Sequence, residues 1–397
     1  MATISKRNGT YRIRVSCGYD STGKQLIKST TYKPAPSMTK KQIEKELNRQ
    51  ATLFEEQCQT GLYSQQGNTK LSDFIPQYLD IVKSTGTLSP TTLVSYERVI
   101  EVYIIPALGH IKLSDIKPIH VQRFIQQLTD DVVSTGKRGA GNMLSPATVR
   151  RYYVVLQSIL GRASKLGLIA FNPASSEKID LPPIRQKEVD IFTKEDMAKI
   201  ITALNNEATI YQALIHLAIT TGARRGELLA LKWDCIDLDN LTVKIKHSNY
   251  RLTGEETKTK STKNNKQRTV SIPDYCAEIL KAHKSNQLEK RFQVGDQWQN
   301  QDWVFTQWNG TPMEINTPSH WFKKFLKKNN IPHCKFHALR HTSATLLLAK
   351  GINIKTVSSR LGHSQLSTTN IYLHNIEEAE REAASSFTDI LNIKKQA

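Results

Sequence analysis

Long apolar runs are missing. No window of the 397 residues approaches the roughly 20 apolar residues that span a bilayer. The segment Met1 to Tyr11 carries charge but no apolar core, so no secretory signal is expected. With a mean hydropathy of -0.44, the expectation is a cytoplasmic protein with no membrane partner. Cysteine is also scarce: the five, at 17, 58, 235, 276 and 334, are odd in number and far apart, which argues against a disulfide framework. Cys334 stands near His333, His337 and His341 but has no second thiol to complete a structural zinc site. There is no Gly-x-x-x-x-Gly-Lys loop for a nucleotide phosphate and no clear carboxylate cluster. Acidic charge is short as well: 36 Asp and Glu face 55 Lys and Arg, a formal +19. Excess charge of either sign keeps chains apart, but a polyanionic partner explains the sign directly, because each neutralised phosphate releases counterions. Charge alone does not separate DNA from RNA.

What is present reads as a multidomain chain, as its length suggests. In residues 1–64, 11 Lys and Arg stand against 5 acids, a net +6. Tyr11, Ile13 and Val15 alternate with Arg12, Arg14 and Ser16, the pattern of a half-buried strand. A turn at Asp20 to Lys24, a second strand at Leu26 to Tyr32, and a helix from Thr39 to Cys58 complete a small α+β unit. Arg12 and Arg14 on its outer face are candidates for a DNA groove, where a β-ribbon fits. Residues 65–176 are mostly helical. Ser89-Pro90 and Ser145-Pro146 each supply a capping serine and a first-turn proline. Arg150 and Arg151 follow the second cap, where free amides can meet a phosphate. A basic linker spans 177–188, with Lys178, Arg185 and Lys187 as backbone-tracking candidates. Residues 189–385 form the largest, mixed but mainly helical domain. Helices are expected near Thr193, over Ile210 to Ile219, Tyr275 to Ser285, Ser319 to Lys328 and Ala338 to Ala349, with strands over Trp233 to Ile245 and Arg268 to Ile272. Ile376 to Leu391 reads as an acidic helix followed by a short apolar stretch, and 386–397 form a tail with a basic tip.

Four clusters in this last domain carry residue types suited to phosphodiester chemistry. Attack on a phosphodiester adds negative charge, which guanidinium forks match in geometry. The first cluster is Thr221-Gly-Ala-Arg224-Arg225-Gly226-Glu227-Leu228, in which the two glycines allow close packing and Glu227 can hold Arg224. The second is His337-Ala-Leu-Arg340-His341, whose His337 and Arg340 share one helical face. Leu361-Gly362-His363 is the third, and Tyr372, a permitted nucleophile, is the fourth. Singly, each has an ordinary structural explanation: a core tyrosine, a helix cap, a surface ion pair worth little.

In order, type and spacing the four clusters resemble the tyrosine recombinases, the lambda-integrase family. The resemblance implies Arg224, His337, Arg340 and His363 around the scissile phosphate, Tyr372 as nucleophile, and Glu227 keeping Arg224 oriented. It also implies a catalytic lysine on a β-hairpin. Lys258 is the best match, with Lys260, Lys263 and Lys266 crowding the same loop. Across the chain it implies a small α+β arm-binding domain, an all-α core-binding domain and a mainly-α catalytic domain with a small sheet, most like integrases of phages and conjugative transposons of low-GC bacteria. Its implied partners are double-stranded core- and arm-type attachment sites, a homotetramer on DNA, an excisionase and a host DNA-bending protein. The resemblance also implies that no ATP and no divalent metal are required. Within the same chemistry, resolution of replicon dimers and a type IB topoisomerase are alternatives, and a catalytically silent DNA-binding protein is another.

Overall fold

The computed structural model describes residues 2–369 apart from 8, 20–24, 37, 60–68, 131–142, 185–189, 253, 262–266, 364 and 366–368. The expected turn at Asp20 to Lys24, Lys263, Lys266, Arg185, Lys187, Tyr372 and the acidic carboxy-terminal segment therefore lie outside the described residues. The chain divides into two compact units, Met1–Gln186 and Lys187–Ala397.

The first unit opens with an antiparallel sheet in the order β1 (Thr3–Arg7), β2 (Thr10–Tyr19), β3 (Gln25–Tyr32). The alternation in β2 decides its two faces. Ile13 and Val15 are buried against Leu47, Ala51 and Phe54 of α1 (Lys40–Gln59). Arg12 and Arg14 alternate with them, paired across the strand with Thr31 and Ser29. Strand β1 was not expected: four of its five residues are exposed, so it carries no apolar alternation to read.

A helical bundle follows: α2 (Leu71–Thr85), α3 (Pro90–Val99), α4 (Ile105–Leu108), α5 (Pro118–Asp130) and α6 (Pro146–Lys165). Both serine caps form. Ser89 Oγ accepts the Thr92 N–H at 3.4 Å and Ser145 Oγ the Thr148 N–H at 3.3 Å, each with proline in the first turn. Phe74, Tyr78, Phe124 and Leu156 lie in one core, where the Tyr78 hydroxyl meets Ser158 Oγ at 2.8 Å, so the hydroxyl that the ring carries inward is paired.

The second unit packs α7 (Lys194–Leu204), α8 (Thr209–Thr221), α9 (Arg225–Leu228), α10 (Asp274–Val294), α11 (Thr317–Lys328), α12 (Ala338–Ala349) and α13 (Ile354–Leu361) around small sheets. One sheet runs β4 (Ile236–Asp237), β5 (Thr242–Ile245), β8 (Arg268–Ser271); the other is a hairpin of β6 (His247–Tyr250) and β7 (Lys258–Ser261). Thr193 and Asp196 close a reciprocal capping box on α7, as their spacing predicts. The expected strand from Trp233 to Ile245 is corrected: it begins as a 3-10 turn, and Asp237 breaks it by accepting the Asp239 and Asn240 amides in a tight turn. Helix α10 runs on to Val294, and α13 was not anticipated. The architecture is thus a small α+β unit, an all-α bundle, and a mainly helical unit with small antiparallel sheets. Among the described residues no helix is long and apolar enough to cross a membrane.

Candidate active site

Helix α8 ends at Gly222, which turns in the left-handed region (φ 61°) and leaves its carbonyl pointing out of the helix pattern. Arg224 then caps α9. Glu227, three residues on, folds back: its Oε2 accepts the Arg224 backbone N–H at 3.0 Å and its Oε1 accepts Arg224 Nη1 at 2.8 Å. The turn sits tightly on β6. A Cβ at Gly226 would come within 2.6 Å of both the Asn249 carbonyl oxygen and Ser248 Oγ, so only glycine fits without displacement.

Helix α12 begins just after His337, whose backbone is itself helical (φ -67°, ψ -18°), so His337 and Arg340 stand one turn apart. Arg340 is 3% exposed. Its Nη1 donates to the Gly222 carbonyl, 118 residues away in sequence, and its Nη2 donates at 2.9 Å to the Leu361 carbonyl at the end of α13. One guanidinium thus joins the first, second and third sequence clusters. His363 follows directly, with Nδ1 2.8 Å from Oγ1 of the fully buried Thr369.

The charges in this pocket govern its imidazoles. Burial pushes His363 down, and the positive fields of Arg340, Arg224 and Arg268 add to it, to about 4. His337 is also pushed down, first by the protein crowding its ring and then by His341, Arg340 and Arg224, with Glu227 opposing; solvent reaching its open side moderates the effect. His341 stands edge-on to His337, ring centres 4.6 Å apart. Both site histidines are therefore neutral at neutral pH in the DNA-free protein and able to accept a proton.

Lys258 and Lys260 fall on the same face of β7. Lys258 Nζ is 2.6 Å from Glu255 Oε2, and Lys260 Nζ sits 4.9 Å over the Tyr250 ring. Thr259, between them, turns the other way and donates to the buried Asn249, which in turn donates to the Leu229 carbonyl just past α9. The hairpin is thereby tied to the Arg224 turn. Sequence reasoning missed Arg268. This residue reaches Glu227 Oε2 at 2.6 Å and the Arg360 carbonyl at 2.9 Å, partners 41 and 92 residues distant, so no local pattern could have singled it out.

The candidates for DNA contact lie apart from this pocket in sequence. Arg14 is exposed, while Arg12 donates to Ser29 Oγ at 3.2 Å. Arg150 Nε donates to the Pro182 carbonyl at 2.9 Å, Arg151 is bonded to Ser95 Oγ, and Lys178 lies 4.0 Å over the Phe171 ring. Arg12, Arg150, Arg151 and Lys178 are thus engaged within the first unit.

Two guanidinium groups and neutral imidazoles in one pocket are suited to a phosphodiester. Residues 190–379 match the Phage integrase family, and 70–129 match the Phage integrase N-terminal SAM-like domain. A tyrosine recombinase XerC-like protein of Caldanaerobacter subterraneus subsp. tengcongensis is 31% identical over 403 residues, covering 96% of each chain. The ICEBs1 integrase of Bacillus subtilis is 25% identical over 98% of this chain and 100% of its own. In fold, the chain resembles the Tn1549 transposon integrase solved in complex with a circular intermediate DNA, with TM-score 0.64 and 19% identity over 80% of this chain and 99% of that one. The chain belongs to the tyrosine recombinases of the phage integrase family, enzymes that cut and rejoin DNA strands.

Proposed function

We propose that this recombinase integrates and excises a mobile element or prophage in the cytoplasm of a bacterial host, through a covalent bond between Tyr372 and DNA. The observation that carries the reading is the convergence on Arg340, where the Gly222 turn, the start of α12 and the Leu361 to His363 turn meet at one cation. Arg224 and Arg340 hold the non-bridging oxygens and stabilise the charge added on attack. The phenolic oxygen of Tyr372 bonds to phosphorus while the bond to the 5′ oxygen breaks. The phenolic proton passes to neutral His337, and Lys258 supplies a proton to the leaving oxygen. His363 donates a hydrogen bond to the phosphate from the ring nitrogen opposite Thr369. Tyr372 lies three positions beyond buried Thr369, a reach of at most about 11 Å, which suits delivery of the tyrosine to this pocket.

The product is a 3′-phosphotyrosyl link and a 5′ hydroxyl. A 5′ hydroxyl from a partner duplex reverses the step, so no ATP is consumed. The arginines supply the fixed positive charge that metal ions supply to other phosphoryl-transfer enzymes. Exchanging two duplexes takes four cleavages, hence four protomers, and Glu377 to Leu391 offers acidic and apolar groups for docking on a neighbouring subunit. Directionality is set by an excisionase, with a host protein bending the DNA between arm- and core-type sites. The names of the ICEBs1 and Tn1549 relatives favour the integrase role. Dimer resolution is the second reading, favoured by the XerC-like relative.

The test is a nicked suicide duplex carrying the core site, incubated in EDTA without nucleotide. A covalent protein–DNA adduct is expected with the wild-type chain and none with Tyr372→Phe, although that variant still binds. An adduct that persists in Tyr372→Phe removes the nucleophile assignment. Arg340→Lys is expected to lose at least about 100-fold in adduct formation, because a single ammonium cannot replace the fork.

A further inference from the structure

Arg268 has no part in the mechanism above, yet it is only 10% exposed and lies against the site. Its Nη2 donates to Glu227 Oε2 at 2.6 Å, the same oxygen that takes the Arg224 backbone N–H. Its Nε donates to the Arg360 carbonyl at 2.9 Å, one residue before the carbonyl that Arg340 holds. The last carbonyls of a helix have no partner inside it, and cations are favoured at that end. Arg268 from β8 and Arg340 from α12 therefore cap α13 together. The turn that follows lies directly on the guanidinium: a Cβ at Gly362 would stand 2.8 Å from Arg268 Nη1 and 3.3 Å from its Cδ.

We propose that Arg268 is a positioning residue for strand cleavage, which sets Arg224 through Glu227 and the His363 turn through the Arg360 carbonyl, so that both phosphate-facing groups are held in one frame. This rests on the reading of the pocket as the phosphate site. The charged and titratable groups that face Glu227 are Arg224 from its own turn, Arg268 from β8 and His337 from the start of α12. Burial pushes Glu227 up, but the bond and charge of Arg268, followed by those of Arg224, bring it below the ordinary carboxylate range. Without Arg268, burial is opposed mainly by Arg224. Glu227 then takes up a proton at higher pH, and Arg224 loses its anchor as pH falls.

The experiment measures adduct formation by the full chain from pH 6 to pH 8. The DNA is a set of duplexes selected from a random-sequence pool by binding to the wild-type chain, with a nick scanned across the bound site. Arg268→Gln is expected to bind within about twofold of wild type and to cleave about 100-fold more slowly at pH 6, with a smaller loss at pH 8. Arg268→Lys, whose single ammonium cannot satisfy both Glu227 and the Arg360 carbonyl but keeps a positive charge beside the carboxylate, is expected to slow cleavage with a weaker pH dependence than the glutamine variant; it also carries the comparison if that variant does not fold. The double variant Arg268→Gln with Glu227→Gln loses the extra pH dependence, since no carboxyl remains to titrate, and cleaves across the range at about the rate that Arg268→Gln shows at pH 6. A loss equal at every pH, or losses that simply multiply in the double variant, overturns the positioning role while the wild-type adduct still upholds the pocket. Absence of any adduct from the wild-type chain overturns the reading of the pocket and the positioning role with it.

Discussion

An ammonium that must give up a proton is poorly served by a carboxylate at its side. Glu255 lies 2.6 Å from Lys258, and its hydrogen bond and charge raise the lysine above its ordinary value, which makes it a weaker acid while the pair lasts. Lys258 can serve the leaving oxygen only after it exchanges Glu255 for DNA, a change the exposed position of the pair permits. A bridging sulfur at the cleaved position isolates this step, because a thiolate with a pKa near about 8.5 leaves without a proton whereas an alkoxide does not. Lys258→Ala is expected to slow cleavage of an ordinary phosphodiester by about 100-fold or more and to cleave the 5′-thio duplex at close to the wild-type rate. Lys260→Ala, whose ammonium lies over Tyr250, is expected to cleave both substrates alike. The reverse pattern, rescue of Lys260→Ala and not of Lys258→Ala, transfers the acid to the second lysine.

At the scale of elements, what was legible depended on whether a pattern was local. The β2 alternation, the two Ser-Pro starts and the Thr193 box involve neighbours within a few residues, and each formed as its residues dictate. Strand β1 was invisible because four of its five side chains stay in solvent, and α13 because it is short and its last carbonyls are satisfied by arginines from other elements. The site divides in the same way. The residues of the four clusters stand out by type and spacing, but Arg268 acquires its meaning only from partners far along the chain. Gly226 shows how narrowly one element is placed on another. In Gly226→Ala the new Cβ would strike the backbone of β6, so α9 must shift, and Arg224 with it. Overpacking of this kind costs about 1–3 kcal/mol, and a displacement near 1 Å costs about 100-fold in rate. Adduct yield should therefore fall far more than the melting temperature, whereas an unchanged yield would show that the α9–β6 contact does not place Arg224.

For the whole molecule, the question is what the amino-terminal sheet adds to a candidate site whose described residues all belong to the second unit. Residues 1–64 carry a net +6, and the face of β2 opposite the core presents Arg14 to solvent. If this unit holds arm-type DNA, its removal acts on binding and assembly and leaves chemistry alone. Each phosphate contact contributes about -0.9 to the slope of log affinity against log salt. A chain lacking residues 1–64 that gives up about three such contacts should bind long attachment-site DNA with a slope shallower by roughly 3, while its slope on a short core duplex stays the same. Adduct formation on the core duplex should match that of the full chain. Recombination between an arm-bearing site and a simple target should collapse, because two weak sites joined on one chain gain effective concentration only when both can be held at once. Resolution between two directly repeated core sites needs no arm contact and should survive. Retention of full integration by the shortened chain would instead leave the basic sheet as an accessory to the fold.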